Sequence, residues 1–359
     1  MTVLHDWPAT PPVLRVPPYA RGLRGLLGVH PLLVAGAGAF LLVPRVASAY
    51  WTFNVMVGLV LAIACLGLVP VVGWARDISL MQAGLTGAAV YICGFLQRDW
   101  NDGGGGYPFP LAAAFAVGTV VALSVLVALV SARLAGAYVA VLTLALQFLL
   151  ENTVMISEEL TSWESSVERP DFFGIGMRSD AHFYYYVLGA AAVSVAALHR
   201  LRHSRFGRAT ILAGSDSGAA AVSGISPWRY RVFAFCVAGF FAGVAGALSA
   251  PLYFSPPGTM QYISFNSLFY LSIPLLAGFD SLSSVVAVAV VFTLVPQVVL
   301  EWKLNVYLVG GFGLLVGVLM GPRGLGGALT DVLAPRRRQP PGGRTRTPSW
   351  SRTCGPSSR

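Results

Sequence analysis

The sequence predicts an all-α polytopic membrane protein of about ten transmembrane helices. Three observations predict it. The 359-residue chain is 55% hydrophobic and 11% charged, with mean hydropathy +0.69, too apolar for a soluble globular domain. Its apolar residues gather in runs close to the ~20 residues that cross a hydrocarbon core. Its charge is segregated, with arginines in some connecting segments and acids in others.

In chain order, residues 1–24 are proline-rich with scattered charge and read as a disordered cytoplasmic lead-in. The membrane domain occupies 25–329. Its first apolar run, 26–43, follows Arg15, Arg21 and Arg24 and is followed by Ala47-Ser48-Ala49, so it imitates a signal peptide; at near-span length it reads as a retained helix. Further spans are expected at 50–72, 78–96, 109–130, 135–156, 183–198, 232–253, 262–279, 282–300 and 306–320. Threaded from a cytoplasmic N-terminus, they place Arg76, Arg133, the loop 200–231, and Arg323 with Arg336, Arg337 and Arg338 on the inner side. The outer side receives Arg98, Asp99 and Asp102, then the acidic loop with Glu158, Glu159, Glu164, Glu168, Asp171 and Asp180. Every strongly basic loop falls inside, which puts both termini in the cytoplasm. The tail 330–359, rich in arginine, proline and serine, reads as disordered and attracted to anionic lipid. The net charge of +9 is confined to loops in this way, so it reports orientation and contact with membrane lipids, with no nucleic acid as partner.

The loop 200–231 is the most distinctive stretch. Arg200, Arg202, Arg205, Arg208, Arg229 and Arg231 face one acid, Asp216, and the alanine-rich segment 209–223 suits one or two short helices at the membrane surface. It reads as a surface to be gripped or as a solvated loop that fixes topology. In the following span, Gly239, Gly243 and Ala247 share one face and Ala242 and Gly246 an adjacent one, a spacing that lets helix backbones approach closely. Two polar joints, Gly73-Trp74-Ala75-Arg76-Asp77-Ile78-Ser79 and Gly278-Phe279-Asp280-Ser281-Leu282-Ser283, interrupt the apolar pattern in the manner of broken-helix transporters.

Intramembrane polar residues are few. Gln82, Thr143, Gln147 and Asn266 are the pathway candidates, beside Asn54, Asn152 and Gln297. A mid-bilayer charge costs on the order of 3 kcal/mol, so an ion-coupling acid stands out. Glu151 alone qualifies, and it lies close enough to a helix end to snorkel or cap. A secondary transporter is therefore disfavoured.

Chemistry is absent from the pattern: no catalytic residues, no metal ligands and no cofactor site are expected. HExxH, GxSxG and CxxC do not occur, and His5, His30, His182, His199 and His203 are scattered. Cys65, Cys93 and Cys236 sit in apolar runs and Cys354 in the tail, without disulfide or metal spacing. The single lysine, Lys303 in LEWKLN, cannot supply a GxxxxGK[ST] phosphate loop, so any ATP must be hydrolysed by another polypeptide.

The segment SRFGRATILAGSDSGAAAVSGISPWRYRVFAF resembles the cytoplasmic loop and following helix of M-type permease subunits of branched-chain amino-acid ABC importers. Ser204, Gly207, Arg208 and Ala209 match its S-x-x-G-R-A element, Ala219 and Ala220 its alanines, Gly224 and Ile225 its G-I pair, and Arg229 and Tyr230 its R-Y pair. LSIPLLAGFDSLSS at 271–284, MGPRGLGG at 320–327 and RLAGAYVAVLTLAL at 133–146 extend the resemblance over most of 61–329. It implies an ABC-importer permease fold in a bacterial plasma membrane, two ATP-binding subunits docked on the 200–231 loop, a second, H-type permease, and an extracytoplasmic solute-binding protein. In this mechanism, closure of the ATPases pushes on 209–223 and reorients the helices packed through Gly239, Gly243 and Ala247, giving alternating access.

The departures fall where substrate and binding protein would act. Relatives show Y-A-G-Q-x-S followed by Gly-His; here Trp74-Ala75-Arg76-Asp77-Ile78-Ser79 precedes Met81-Gln82. The external T-G-G-P-x-G run reads TSWESSVERPDFFGIG at 161–176, and the acid before the paired alanines is replaced around Ser217 and Gly218. A permease for urea or other amides is accordingly the alternative substrate class. A non-ATP-driven channel or scaffold and an intramembrane enzyme are the alternative function classes. The enzyme would need acids or histidines clustered at one membrane depth.

Overall fold

The computed structural model describes residues 31–101, 107–131, 134, 136–157, 160, 171–172, 175–176, 179–253, 261–279 and 282–301. The expected span 306–320, both terminal segments, most of the acidic loop and the 320–327 motif lie outside the described residues. The regular secondary structure among the described residues is helical apart from one two-residue antiparallel pairing, Asp171–Phe172 with Ile175–Gly176. The chain divides into two compact units at Ser48 and Ala49. The first contains α1 (Pro31–Val46), which ends with Pro44 and Arg45 in its last turn.

The second unit carries α2 (Ala49–Leu68), α3 (Gln82–Asn101), α4 (Phe109–Ser131), α5 (Ala137–Thr153), α6 (Asp180–His203), the short α7 (Arg205–Ser215) and α8 (Ser217–Val222), α9 (Pro227–Ser249), α10 (Ser264–Ala277) and α11 (Leu282–Glu301). Among the described residues, four segments are long and apolar enough to cross a bilayer: α2 with its extension to Trp74, α4, α6 and α9. Three shorter apolar helices, α5, α10 and the stretch Leu282–Gln297 of α11, accompany them. The protein is thus a polytopic helical membrane protein.

Two helices form the middle of the bundle. α2 packs against α9, α6, α10 and α11, and α9 also packs against α3 and α4. α2 is apolar along its length and largely buried, and α9 is largely buried from Ala234 onward, with Phe240 facing outward. α9 is lined by small buried residues, Ala234, Ala238, Gly239, Ala242, Gly243, Ala245, Gly246 and Ala247. With no hydrophobic force between helices in lipid, close backbone approach supplies the packing energy. A Cβ on Gly239 would lie 2.6 Å from the Ser124 Cβ, and one on Gly243 2.9 Å from the Val117 Cα, so both face α4. Gly246 on the adjacent face packs instead against Thr86, Ala89 and Val90 of α3.

α4 shows the inverse of a soluble helix. Ala112, Ala116, Val120, Ser124 and Ala128 are buried, whereas Leu111, Phe115, Leu126 and Leu129 are exposed. Besides Phe109, Val120 and Val127, the buried positions carry small residues, and several bulky residues face outward, as suits a helix whose outer surroundings are apolar.

α2 does not end in the ordinary way. Val69–Trp74 continues it as a π-helical turn containing Pro70. Proline has no N–H to donate, and its ring crowds the preceding turn, so the backbone widens there. Ala75 N–H donates to the Pro70 carbonyl and Asp77 N–H to that of Val71, spans of five and six residues. Arg76 then adopts φ +57°, the only non-glycine residue with positive φ among those described, a conformation disfavoured for a side chain with a Cβ. The chain runs non-helically to Met81 and α3 starts at Gln82.

Candidate functional site

Two places combine unusual residues with unusual geometry: the basic hairpin formed by α7 and α8, and the buried joint between α2 and α3.

The hairpin builds itself from its own sequence. Ser204 ends α6 and caps α7, its hydroxyl accepting from Gly207 N–H at 3.2 Å. Gly207 lies against the Leu201 carbonyl and the Arg202 backbone, where any Cβ would clash. Asp216 breaks the chain between the short helices and caps α8, its Oδ1 accepting from Gly218 N–H at 2.9 Å and Ala219 N–H at 3.0 Å. α8 ends in a Schellman turn: Gly224 takes φ +75°, Ile225 N–H donates to the Ala220 carbonyl and Gly224 N–H to that of Ala221. Ala220 is buried, while Ala219 and Val222 are exposed, Val222 at 92%. Arg208 and Arg229 are exposed, Tyr230 is half-buried, and the Arg229 guanidinium lies 5.7 Å from the Trp228 ring centroid. Phe206 stacks on Phe233, tying α7 to α9.

The hairpin rests on the joint. Gly214 of α7 sits directly on the Trp74 carbonyl and the Ala75 backbone. Arg231, in the second turn of α9, reaches the same segment. Its Nε lies 2.6 Å from Asp77 Oδ2, and one terminal nitrogen donates to Asp77 Oδ1 at 3.1 Å. The other terminal nitrogen donates to the carbonyls of Ser131 and Leu134 at 3.1 and 3.0 Å, holding the end of α4. Burial pushes the Asp77 carboxyl above its ordinary value, and the charge and hydrogen bond of Arg231 oppose that rise. A cleft of about 310 Å³ opens between α7, the joint and the start of α9, lined by Ala75, Thr210, Gly214, Trp228, Tyr230 and Arg231.

Within the bundle, the start of α3 is held by other helices. Leu80 N–H donates to Thr143 Oγ1 at 3.0 Å, Ala83 N–H to Ser267 Oγ at 3.3 Å and Gly84 N–H to Gln147 Oε1 at 2.6 Å. These are amides that a helix start leaves without intrahelical partners. Gln147 also accepts from Ser267 Oγ and donates to the Tyr262 carbonyl at 2.7 Å. Gln82 turns the other way, its Nε2 donating to the carbonyls of Ala64 and Ala238 in a space that Gly67 leaves open. Gln82 Oε1, Ser79 Oγ and Trp74 Nε1 are buried without a hydrogen-bond partner among the described residues.

Three of the four pathway candidates, Gln82, Thr143 and Gln147, are therefore buried around one helix start. Asn266 is not with them: its amide donates to the Gln261 carbonyl, and the next residue, Ser267, reaches the centre instead. Glu151 accepts from Ser264 N–H and Oγ at 2.9 and 2.6 Å, capping α10 from α5. The two polar joints differ in build, since the second ends α10 simply at Gly278 with φ +86°, yet they meet where Gly73 lies against the Phe279 ring. Among the described residues, no three His, Cys, Asp or Glu side chains gather to hold a metal ion. Sequence reasoning assigned Arg231 to orientation and missed its partner Asp77, the Gly214 contact and Ser267. Each depends on proximity across more than 100 residues or on a residue type too common to stand out.

The family described as branched-chain amino acid transport system / permease component matches residues 38–321. The chain is 25% identical to the high-affinity branched-chain amino acid transport system permease protein LivM of Escherichia coli (strain K12), over 86% of this chain and 81% of that protein. It is 26% identical to the protein of the same description from Salmonella typhimurium (strain LT2), over 80% of this chain and 74% of that one. No solved structure matches.

Proposed function

The chain belongs to the branched-chain amino acid transport permease family, and on that premise we propose that it is the M-type membrane subunit of an ATP-driven importer. ATP-binding subunits dock on the hairpin α7–α8 from the cytoplasm, an H-type permease completes the membrane body, and an extracytoplasmic binding protein delivers a branched-chain amino acid or a related small polar solute. Both termini are cytoplasmic, because that threading puts the arginines of the hairpin on the inner side.

One observation carries the reading: a pair of short helices, capped from their own stretch of sequence by Ser204, Asp216 and Gly224, presents Arg208, Ala219 and Val222 as exposed residues. A self-capped knob keeps its shape when a partner grips it. The chain itself carries no nucleotide-binding loop, its one lysine lying in LEWKLN. The solute passes the buried joint, where Gln82, Thr143, Gln147 and Ser267 gather around the start of α3 and Ser79 Oγ and Gln82 Oε1 retain hydrogen-bonding capacity. Glu151 is engaged as a cap, which favours ATP over an ion gradient as the driving force.

The test is reconstitution with the neighbouring ATP-binding subunits, the second permease and the binding protein. ATP-dependent uptake of labelled leucine is expected, together with loss of uptake and retained ATP hydrolysis when Gly224 is replaced by tryptophan. Uptake by this polypeptide alone, or normal coupling in the Gly224→Trp variant, would remove the docking assignment.

A further inference from the structure

Gly214 joins the hairpin directly to the buried joint, and Arg231 joins the same joint to the start of α9, into which the hairpin leads; both contacts are suited to transmitting displacement. At Gly214, backbone lies on backbone, with no side chain between α7 and Trp74–Ala75 to absorb a shift. At Arg231, one guanidinium grips Asp77 of the joint and the carbonyls of Ser131 and Leu134 at the end of α4. The element they touch is the weakest stretch of the α2–α3 backbone: a widened π turn over Pro70, a left-handed Arg76, and a non-helical run to Met81. Residues held in sparsely populated backbone conformations persist only where their surroundings over-determine them, and they cluster at ligand clamps and switch regions. Beyond the joint, the α3 amides are held by α5 and α10, so a shift of the joint changes the hydrogen bonds at Thr143, Gln147 and Ser267.

We propose that Gly214 and the Arg231–Asp77 pair form the linkage by which a push on the hairpin displaces the joint, so that these three are positioning residues for transport. The proposal rests on the docking of ATP-binding subunits at the hairpin and adds where the stroke goes. A partly buried ion pair is a modest stabiliser, because desolvation offsets much of its Coulombic gain; the upward push on the Asp77 carboxyl reflects that cost. Such a pair is better suited to fixing a register between elements than to holding the fold together.

The experiment uses the full reconstituted complex and reads leucine uptake and binding-protein-stimulated ATP hydrolysis in parallel, with complex assembly measured by size-exclusion chromatography. In Asp77→Asn, uptake falls at least tenfold while hydrolysis stays within twofold; Asp77→Arg combined with Arg231→Asp restores part of the uptake. Gly214→Ala, which wedges a methyl against the Trp74 carbonyl, gives the same split from the hairpin side. Parallel loss of uptake and hydrolysis in proportion to assembled complex overturns the proposal, as does wild-type uptake in Asp77→Asn. Failure of both Asp77→Asn and Gly214→Ala to assemble also overturns it, since the contacts are then part of folding. Cross-linking from Val222→Cys to an ATP-binding subunit reads docking separately. Its absence sinks the docking assignment, whereas cross-linking accompanied by parallel losses sinks the linkage alone.

Discussion

The start of α8 and the start of α3 solve the same problem in opposite ways. Each leaves backbone amides without helical partners. At α8, Asp216 satisfies two of them from the adjoining position in sequence. At α3, the acceptors Thr143, Gln147 and Ser267 come from helices 63 and 184 residues away. A locally capped helix survives movement of its surroundings; a helix capped from elsewhere changes its hydrogen bonding whenever its neighbours move. The hairpin is in this sense a rigid handle, and the joint is the part whose bonding depends on how the bundle is arranged.

Four substitutions break or sharpen that contrast. Gln147→Leu has the largest effect: it strips partners from Gly84 N–H, Ser267 Oγ and the Tyr262 carbonyl at once. At roughly 1–3 kcal/mol for each orphaned group, the detergent-purified protein should melt many degrees lower and uptake should drop more than tenfold. Thr143→Val removes a single acceptor, that of Leu80 N–H. The expected loss is about 1–3 kcal/mol, read as a smaller drop in melting midpoint. Asp216→Ala costs about 1 kcal/mol of helix stability. Hydrogen exchange should accelerate across Gly218 and Ala219, with the melting midpoint of the bundle unchanged; a global shift would show that the hairpin is not the independent unit described. Glu151→Gln is the mildest. Its carbonyl still accepts from Ser264, so only the charge-assisted part of the bond is lost, about 1 kcal/mol. Uptake should keep its rate and its dependence on ATP, and a loss of either would return Glu151 to the pathway.

The parts of this architecture that are legible in the sequence are those governed by local rules. The run 109–130 and the helix Phe109–Ser131 nearly coincide, because hydropathy and length alone determine that span. The alanine-rich segment 209–223 reads as short surface helices, and α7 and α8 occupy it, α7 beginning earlier at Arg205 because Ser204 is the better cap. The four-residue spacing of Gly239 and Gly243 indicates a close helix contact but not which helix receives it. The run 78–96, by contrast, predicts α3 four residues too early. Nothing near Ile78 announces that amides from Leu80 onward are claimed by α5 and α10, so the apolar run looks continuous with the helix. Ser267 reads as an ordinary serine beside the more conspicuous Asn266, and only packing reveals that the hydroxyl, not the amide, faces Gln147. The Arg231–Asp77 pair joins positions 154 residues apart, and each has a sufficient local explanation, one as a topology-setting arginine and the other as part of a polar break.

The inverted sizes on α4 carry a consequence for how this protein tolerates variation. In a water-soluble helix, trimming a large apolar residue is what hurts, because large residues are the buried ones. Along Phe109–Ser131 the ranking reverses: enlarging Ala112, Ala116 or Ala128 pries the backbones apart, while shrinking Leu111 or Leu126 removes only outward bulk. A saturation screen of this segment should find enlargement of the buried Ala112, Ala116 and Ala128 less well tolerated than trimming of the exposed Leu111 and Leu126, the reverse of what a hydropathy-based ranking of importance would give.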